Sequence, residues 1–279
     1  MQIFETIEAL QNELSHLKGK SLGLVPTMGA LHQGHLSLIK QSLEDNDHTI
    51  VSVFVNPTQF NDPKDLEKYP RTLEKDCKLI EELGADYVFA PTANEMYPEP
   101  DTRVFSYPPQ DEVMEGKYRP GHFNGMCQIV SKLFTLVNPT RAYFGEKDYQ
   151  QLVIVKRMVQ DLGFNIEIVG CPIVREKDGL ALSSRNTLLS VNERQNALEI
   201  SKTLFDSVEY AKEHSPQATS TYVVNRINAN KNLELQYFEI VDANTLLPVS
   251  DWNESPSIIG CITVFSGAVR LIDNIKYKG

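Results

Sequence analysis

The order of its apolar segments limits this chain more than any single residue does. Residues 21–25 (SLGLV) are a short apolar run of strand length, followed by a glycine-containing turn and helical spacing from about 34 to 43. Residues 48–55 (HTIVSVFV) are a second, continuous apolar run, and 72–83 return to helical spacing with Leu73, Leu79, Ile80 and Leu83 apolar. The alternation continues with a strand at 86–90, a helix at 123–137, a strand at 141–144, a helix at 150–162 and a strand at 164–169. A strand that is apolar at consecutive positions is covered on both faces, and strands separated by helices pair in parallel. The expected fold is therefore α/β, a Rossmann-like parallel sheet with helices on both sides. Such sheets bind ligands beyond the carboxyl ends of their strands.

After about Arg175 the texture changes. Helical spacing covers 192–214 and 217–228, and then 233–241 (LELQYFEIV), 257–264 and 268–272 read as strands. The chain is thus expected to divide into 1–175, the Rossmann-like domain that binds nucleotide and substrate, and 176–279, a smaller C-terminal α+β domain acting as a lid. The EKDG turn at 176–179 is the expected hinge, and the proline-rich stretch 97–109 reads as a surface loop and a second candidate lid. A formal charge of −10 argues against a nucleic-acid surface, which needs clustered cations, but leaves room for a local basic pocket. The first twenty residues are amphipathic and carry acids, unlike a secretion signal. No apolar run approaches the roughly 18 residues of a membrane span. Cys77, Cys127, Cys171 and Cys261 are scattered without C-x-x-C spacing, as expected of reduced, buried thiols. A cytoplasmic protein with no membrane or nucleic-acid partner is expected.

Four segments carry candidate chemistry, and each follows a strand. Residues 25–35 (VPTMGALHQGH) join a strand to a helix through Gly29 and Gly34. Free N–H groups at a helix start attract phosphate, and His32 and His35, three apart, face one side of the first turn. As imidazolium ions they would donate to phosphate oxygens; zinc is the alternative, but no third ligand stands nearby. Residues 145–148 (GEKD), with Gln150 and Gln151, offer Lys147 as a compact cation and Asp148 either as a ribose ligand or as a helix cap. Residues 182–185 (LSSR) hold two hydroxyls and a guanidinium suited to outer phosphate oxygens, or else to capping the next helix. Residues 53–60 (VFVNPTQF) place Asn56 and Gln59 where a strand meets a loop, positions that fit substrate recognition or turn chemistry around Asn56-Pro57. Tyr69, Arg119 and His122 add an aromatic and cations. Asp76 reads either as a metal ligand acting through water or as a solvated carboxylate.

The strand, glycine turn, H-x-G-H and helix together resemble the signature of nucleotidylyltransferases and class I aminoacyl-tRNA synthetases, with LSSR in the place of their mobile K-M-S-K-S-type loop. Six ordered motifs narrow the resemblance further: PTMGALHQGH (26–35), VNPTQF (55–60), YPRT (69–72), RPGHF (119–123), FGEKDYQQL (144–152) and DGLALSSRN (178–186). In this order and spacing the chain resembles the pantothenate synthetase (pantoate–β-alanine ligase) family. The resemblance implies that ATP lies along Pro26, Thr27, Met28, Gly29, Ala30, Leu31, His32, Gln33, Gly34 and His35, and along Gly145, Glu146, Lys147, Asp148, Val174, Leu182, Ser183, Ser184 and Arg185. It places His35 in the catalytic acid position, with His32 and Lys147 beside it. It implies that Gln59 contacts pantoate and β-alanine, that Gln151 and Met28 line the pantoate pocket, and that Asn56, Tyr69 and Arg119 add substrate contacts. A cytoplasmic homodimer requiring Mg²⁺, held through water by Asp76, completes the expectation. One departure is visible: Leu182 stands where many members have Met, a volume-conserving apolar exchange.

The chemistry so implied is an ATP-dependent condensation in two steps, activation of the pantoate carboxylate as an acyl-adenylate and then attack by the β-alanine amine. Three rival readings share part of the pattern. An adenylyltransferase would stop after AMP transfer, a tRNA synthetase-like protein would bind tRNA, and a regulatory module would bind ATP without turnover.

Overall fold

The computed structural model describes residues 1–60 and 63–279. In chain order the elements are β1 (Gln2–Phe4), α1 (Ile7–Leu14), β2 (Leu22–Thr27), α2 (Gln33–Asp45), β3 (His48–Val53), α3 (Pro63–Lys68), α4 (Leu73–Leu83), β4 (Tyr87–Phe89) and α5 (Ala93–Met96). There follow α6 (Met114–Tyr118), α7 (His122–Val137), β5 (Arg141–Gly145), α8 (Tyr149–Leu162), β6 (Glu167–Cys171), α9 (Val191–Ala211), α10 (Pro216–Ala229), β7 (Leu233–Asp242), β8 (Ile258–Ser266) and β9 (Val269–Lys278).

Six strands form one sheet in the order β1-β4-β3-β2-β5-β6, and every pairing in it is parallel. Successive strand residues enter opposite cores. Leu24, Ile50, Phe89, Ala142 and Phe144 join Met126, Phe134 and Ile154 on one face, while Val25, Val51, Val88 and Tyr143 join Leu36, Ile39 and Ile80 on the other. This is the expected consequence of continuous apolar strands covered on both sides. The order reverses between β2 and β5, so a crevice opens beyond their carboxyl ends, at Pro26–Thr27 and Gly145.

The C-terminal strands form a separate antiparallel sheet, β7-β8-β9. Its Phe238, Ile240, Ile262 and Val264 pack on Ala197, Ile200 and Leu204 of α9 and on Val223 and Ile227 of α10. Tyr237, Val241, Ile259 and Cys261, on its other face, pack on Met114 and Val153. Polar clasps reinforce that contact. Glu115 on α6 accepts from both Arg270 terminal nitrogens at 2.7 Å, from the Tyr237 hydroxyl at 2.7 Å and from the Thr263 hydroxyl at 3.1 Å. Arg175 donates to both carboxylate oxygens of Asp273, at 2.6 and 2.9 Å.

Several elements differ from the sequence expectation. The edge pair β1 and α1 carries too few apolar residues to stand out; β1 is three residues long and largely exposed. Strand β9 runs well past 272 because Asp273 and Asn274, which break its apolar run, are buried against specific partners. The stretch 97–109 is strapped down. Gln128 on α7 donates to the Asp101 and Arg103 carbonyls, Arg103 donates back to the Gln128 carbonyl, and the Tyr97 hydroxyl donates to Asn56 Oδ1. Those bonds make it a poor lid. At 176–179 the chain makes a tight turn, bridged from Arg175 to Ala181 and braced by ion pairs from Arg194 to Glu176 and Asp178.

Candidate active site

The loop between β2 and α2 carries both histidines, and the chain's own hydrogen bonds orient them. His32 caps α2: its Nδ1 accepts the Gly34 N–H at 3.1 Å, while His35 Nδ1 accepts the His32 N–H at 3.3 Å. A backbone N–H can only donate, so each Nδ1 is unprotonated, and the neutral ring carries its hydrogen on Nε2. The two rings lie 4.1 Å apart, centroid to centroid. Gly34 makes this possible, since a Cβ there would come within 2.9 Å of His32 Cε1. Burial, then the Lys147 charge, hold the His32 imidazole down at about 4; burial, then His32 and Lys147, hold His35 down at about 3. The expected imidazolium pair is therefore corrected: both rings are neutral, and they offer Nε2–H donors.

Facing the histidines across the crevice are the turn after β5 and the loop after β6. The main cleft is lined by Pro26, Met28, His32, Gly34 and His35 from the first loop, by Gly145, Lys147, Asp148 and Gln151, by Val174, and by Leu182, Ser183, Ser184 and Arg185. Tyr69 also lines it, edge-on to Phe60 with ring centroids 5.7 Å apart. Thus most of the nucleotide residues anticipated from sequence meet on one cavity. Leu38, Tyr143, Phe144, Pro172 and Ile173 join them. Of these, Pro172 and Ile173 were findable, because they follow β6 at a strand's carboxyl end.

The Lys147 side chain is 17% exposed, with its Nζ 3.8 Å from Asp148 Oδ2. Its turn is held from the other sheet: Asn274 Nδ2 donates to the carbonyls of Glu146 and Lys147, at 2.8 and 3.0 Å. Nothing in the motif signals that dependence, which comes from a residue more than a hundred positions away. The Glu146 side chain accepts from Lys276 at 3.2 Å, outside the cleft lining. Ser183 accepts the Arg185 N–H at 3.3 Å, so local capping and cleft lining coexist in LSSR.

Some expected ligand contacts stand behind the wall. Thr27 donates its hydroxyl hydrogen to the Ser52 carbonyl and accepts the Gly29 N–H. The amides of Ala30 and Leu31 are taken by Asp76, and Gln33 does not line the cleft. Asn56 is 1% exposed, and its side chain is fully occupied: it donates to Gln59 Oε1 and the Gly125 carbonyl and accepts from the Thr58 and Tyr97 hydroxyls. It is a pillar under the substrate wall rather than a contact. Gln59, 9% exposed, donates from Nε2 to Met28 Sδ at 3.0 Å. A thioether is a weak acceptor, so an oxygen of a ligand would replace it favourably.

Asp76 also departs from expectation. It is 1% exposed, and its oxygens accept from Ala30 N at 2.9 Å, Leu31 N at 2.8 Å and the Thr72 hydroxyl at 3.0 Å. A carboxylate already holding three donors inside the protein is not a solvated metal ligand. Among the described residues no group of three or more His, Cys, Asp or Glu side chains could hold a metal ion.

A second cavity adjoins the cleft and shares Lys147, Asp148 and Gln151 with it; Arg119, His122, Gln150 and Tyr237 complete much of its wall. Arg119 reaches the twice-paired Glu115 at 3.5 Å. His122 contacts the Gln59 carbonyl at 2.8 Å through Nδ1, which must donate there, and burial and then Arg119 hold its imidazole down at about 4. No helix among the described residues is long and apolar enough to cross a membrane.

Comparison with known proteins agrees with this geometry. The family model for pantoate-beta-alanine ligase matches residues 2–276. The chain is 64% identical to a pantothenate synthetase of Bacteroides fragilis, covering all of this chain and 99% of that protein, and 63% identical to one of Phocaeicola vulgatus over the full length of both. Among solved structures, a pantothenate synthetase of Thermus thermophilus superposes with a TM-score of 0.95 at 44% identity, covering 100% of both chains. A pantoate-beta-alanine ligase of Francisella tularensis, solved with beta-gamma ATP and beta-alanine, superposes with a TM-score of 0.81 at 34% identity over 99% of this chain and 98% of that one. With a crevice at the strand reversal, an H-x-G-H loop on one wall and a lysine turn on the other, and with likeness over its whole length, the chain belongs to the pantoate–β-alanine ligase family, the pantothenate synthetases.

Proposed function

We propose that the cleft between β2 and β5 joins pantoate to β-alanine at the expense of ATP, with a pantoyl-adenylate formed and consumed in place. The observation that carries this reading is the pairing of two neutral, Nδ1-anchored histidines with Lys147 across one crevice. ATP lies with its phosphates near the α2 start, where the helix dipole favours anions and the imidazole Nε2–H groups can donate. In the first step a pantoate carboxylate oxygen attacks the α-phosphorus in line, and the bond to pyrophosphate breaks. Lys147, the Nε2–H groups of His32 and His35, and Ser183, Ser184 and Arg185 stabilise the charge gathering on the phosphates. His35, the more deeply placed of the pair, takes the catalytic acid position.

In the second step the β-alanine amine attacks the acyl carbon, and the bond to AMP breaks. Gln59 and Gln151 orient the organic substrates, with Met28 and Tyr69 excluding water and Arg119 facing the adjoining cavity. The cover is the 182–185 segment together with the C-terminal domain, divided from the first at 175 and 176 and tied to it by Glu115 and Arg175. Asp76 already accepts three donors, and Mg²⁺ enters bound to the ATP phosphates as part of the substrate.

A cytoplasmic homodimer is the working form on this reading, supported by likeness to the family over the full length. Sedimentation equilibrium at micromolar concentration tests it, and a monomer mass refutes it. The reaction itself is tested by AMP release from purified protein with ATP, Mg²⁺ and pantoate, with and without β-alanine. Turnover only with both organic substrates supports the ligase reading. AMP transfer indifferent to the amine favours an adenylyltransferase, and ATP binding without turnover removes the enzymatic reading.

A further inference from the structure

The loop that carries His32 and His35 bends where L-residues resist bending. Gly29, at φ +81°, is followed by Ala30 at φ +50°, so two successive residues occupy the left-handed region. A residue with a side chain resists that angle, which glycine adopts freely. The offsetting contact comes from α4. Asp76 Oδ2 accepts the Ala30 N–H at 2.9 Å, and Oδ1 accepts the Leu31 N–H at 2.8 Å, one oxygen for each amide. The Thr72 hydroxyl steadies Oδ2 at 3.0 Å. The fit is close, because a Cβ on Gly29 would lie 3.1 Å from Oδ2. The very next residue, His32, opens α2 as its cap.

We propose that Asp76 is a positioning residue for the ligase reaction: by fixing the Ala30 and Leu31 amides, it sets the direction in which His32 and His35 present Nε2–H to the phosphates. It touches no ligand. It also ties together two walls of the cleft, since Tyr69 and Thr72 precede it on the same segment. The inference rests on the reading of the two histidines given above.

The test uses the full-length protein and two readouts, single-turnover adenylate formation and long-range ¹H–¹⁵N spectra of the imidazoles. Asp76→Asn keeps the shape but presents one oxygen and an NH₂ group to two N–H donors. It should lower the adenylation rate by about 100-fold while the pantoate KM moves less than about threefold. The Nε2–H tautomer signature of His32 and His35, single in the wild type, should become mixed. Thr72→Val, which leaves both amides bonded, should stay within about threefold of the wild-type rate. Adding Ala30→Gly to Asp76→Asn should recover about tenfold, because glycine adopts the angle without penalty. A normal rate in Asp76→Asn, no recovery with Ala30→Gly, or an equal loss in Thr72→Val would each overturn the proposal. His35→Ala separates the two levels: if it leaves the rate intact, the histidine reading falls and this inference with it. If it is impaired while Asp76→Asn is not, only this inference falls.

Discussion

Lowering the pH from 7 to 5 should destabilise this protein through its buried histidines, and His122 gives the sharpest measure of the effect. An unfolded imidazole titrates near 6.5, whereas His122 and His32 are held at about 4 and His35 at about 3, burial being the largest cause of each. A folded value below the unfolded one means that the unfolded chain binds protons first. The penalty therefore begins as the pH falls through 6.5 and grows until the folded value is reached. At pH 5 the linkage relation gives about 2 kcal/mol each for His35 and His122 and less for the more exposed His32, about 5 kcal/mol for the three together. Glu115 adds little in this window, because its carboxyl, opposed by burial but held down at about 2 by Arg270, loses its contribution only below the ordinary carboxylate range. Glu239, raised by burial, acts in the opposite direction and offsets part of the loss. The assay is urea unfolding at pH 7 and pH 5 for the wild type and for His122→Gln, whose amide can still donate to the Gln59 carbonyl. The variant should lose less than half of the pH dependence, about 2 kcal/mol. Equal stability of the wild type at the two pH values, or an unchanged pH dependence in His122→Gln, would refute the reasoning.

Three further outcomes are expected. Lys147→Ala should slow single-turnover adenylate formation by about 100- to 1000-fold, with pantoate affinity little changed, since its charge matters most as the phosphate geometry changes; an unaltered single-turnover rate would remove Lys147 from the chemistry. Gln59→Ala should weaken pantoate binding by about 1–2 kcal/mol in titration calorimetry, through loss of a buried neutral partner, and an unchanged Kd on folded protein would count against it. Glu115→Gln should cost about 3–5 kcal/mol in denaturant unfolding, because Arg270 is left buried without its countercharge; a cost under about 1 kcal/mol would show that the clasp contributes little.

How far the sequence reaches depends on how local each feature is. The core strands and helices are legible because continuous apolar runs and 3.6-residue spacing are local consequences of burial. The cleft is legible because its segments follow strands and so meet at one edge of a parallel sheet. Asn56, Asp76 and the stretch 97–109 mislead for a shared reason. A polar side chain looks the same in sequence whether it faces a ligand or holds up the wall behind one. Its partners, Gly125 and Tyr97 for Asn56, and Ala30 and Leu31 for Asp76, lie dozens of residues away.

The histidine pair marks the boundary most clearly. Spacing alone puts His32 and His35 on one side of a helix start, next to a glycine-containing turn. The capped Nδ1 atoms are local to the helix start, whereas the charge state of the rings is decided by the fold, because desolvation and Lys147, from the turn after β5, act only once the walls come together. The same holds for the lysine turn, whose carbonyls are gripped by Asn274 from the second sheet. Sequence determined which residues would reach the crevice, because strand and helix periodicity are properties of a few neighbouring residues. Tertiary structure decided which of them touch ligand, which brace those that do and which carry a proton, because burial and long-range hydrogen bonds belong to the assembled walls.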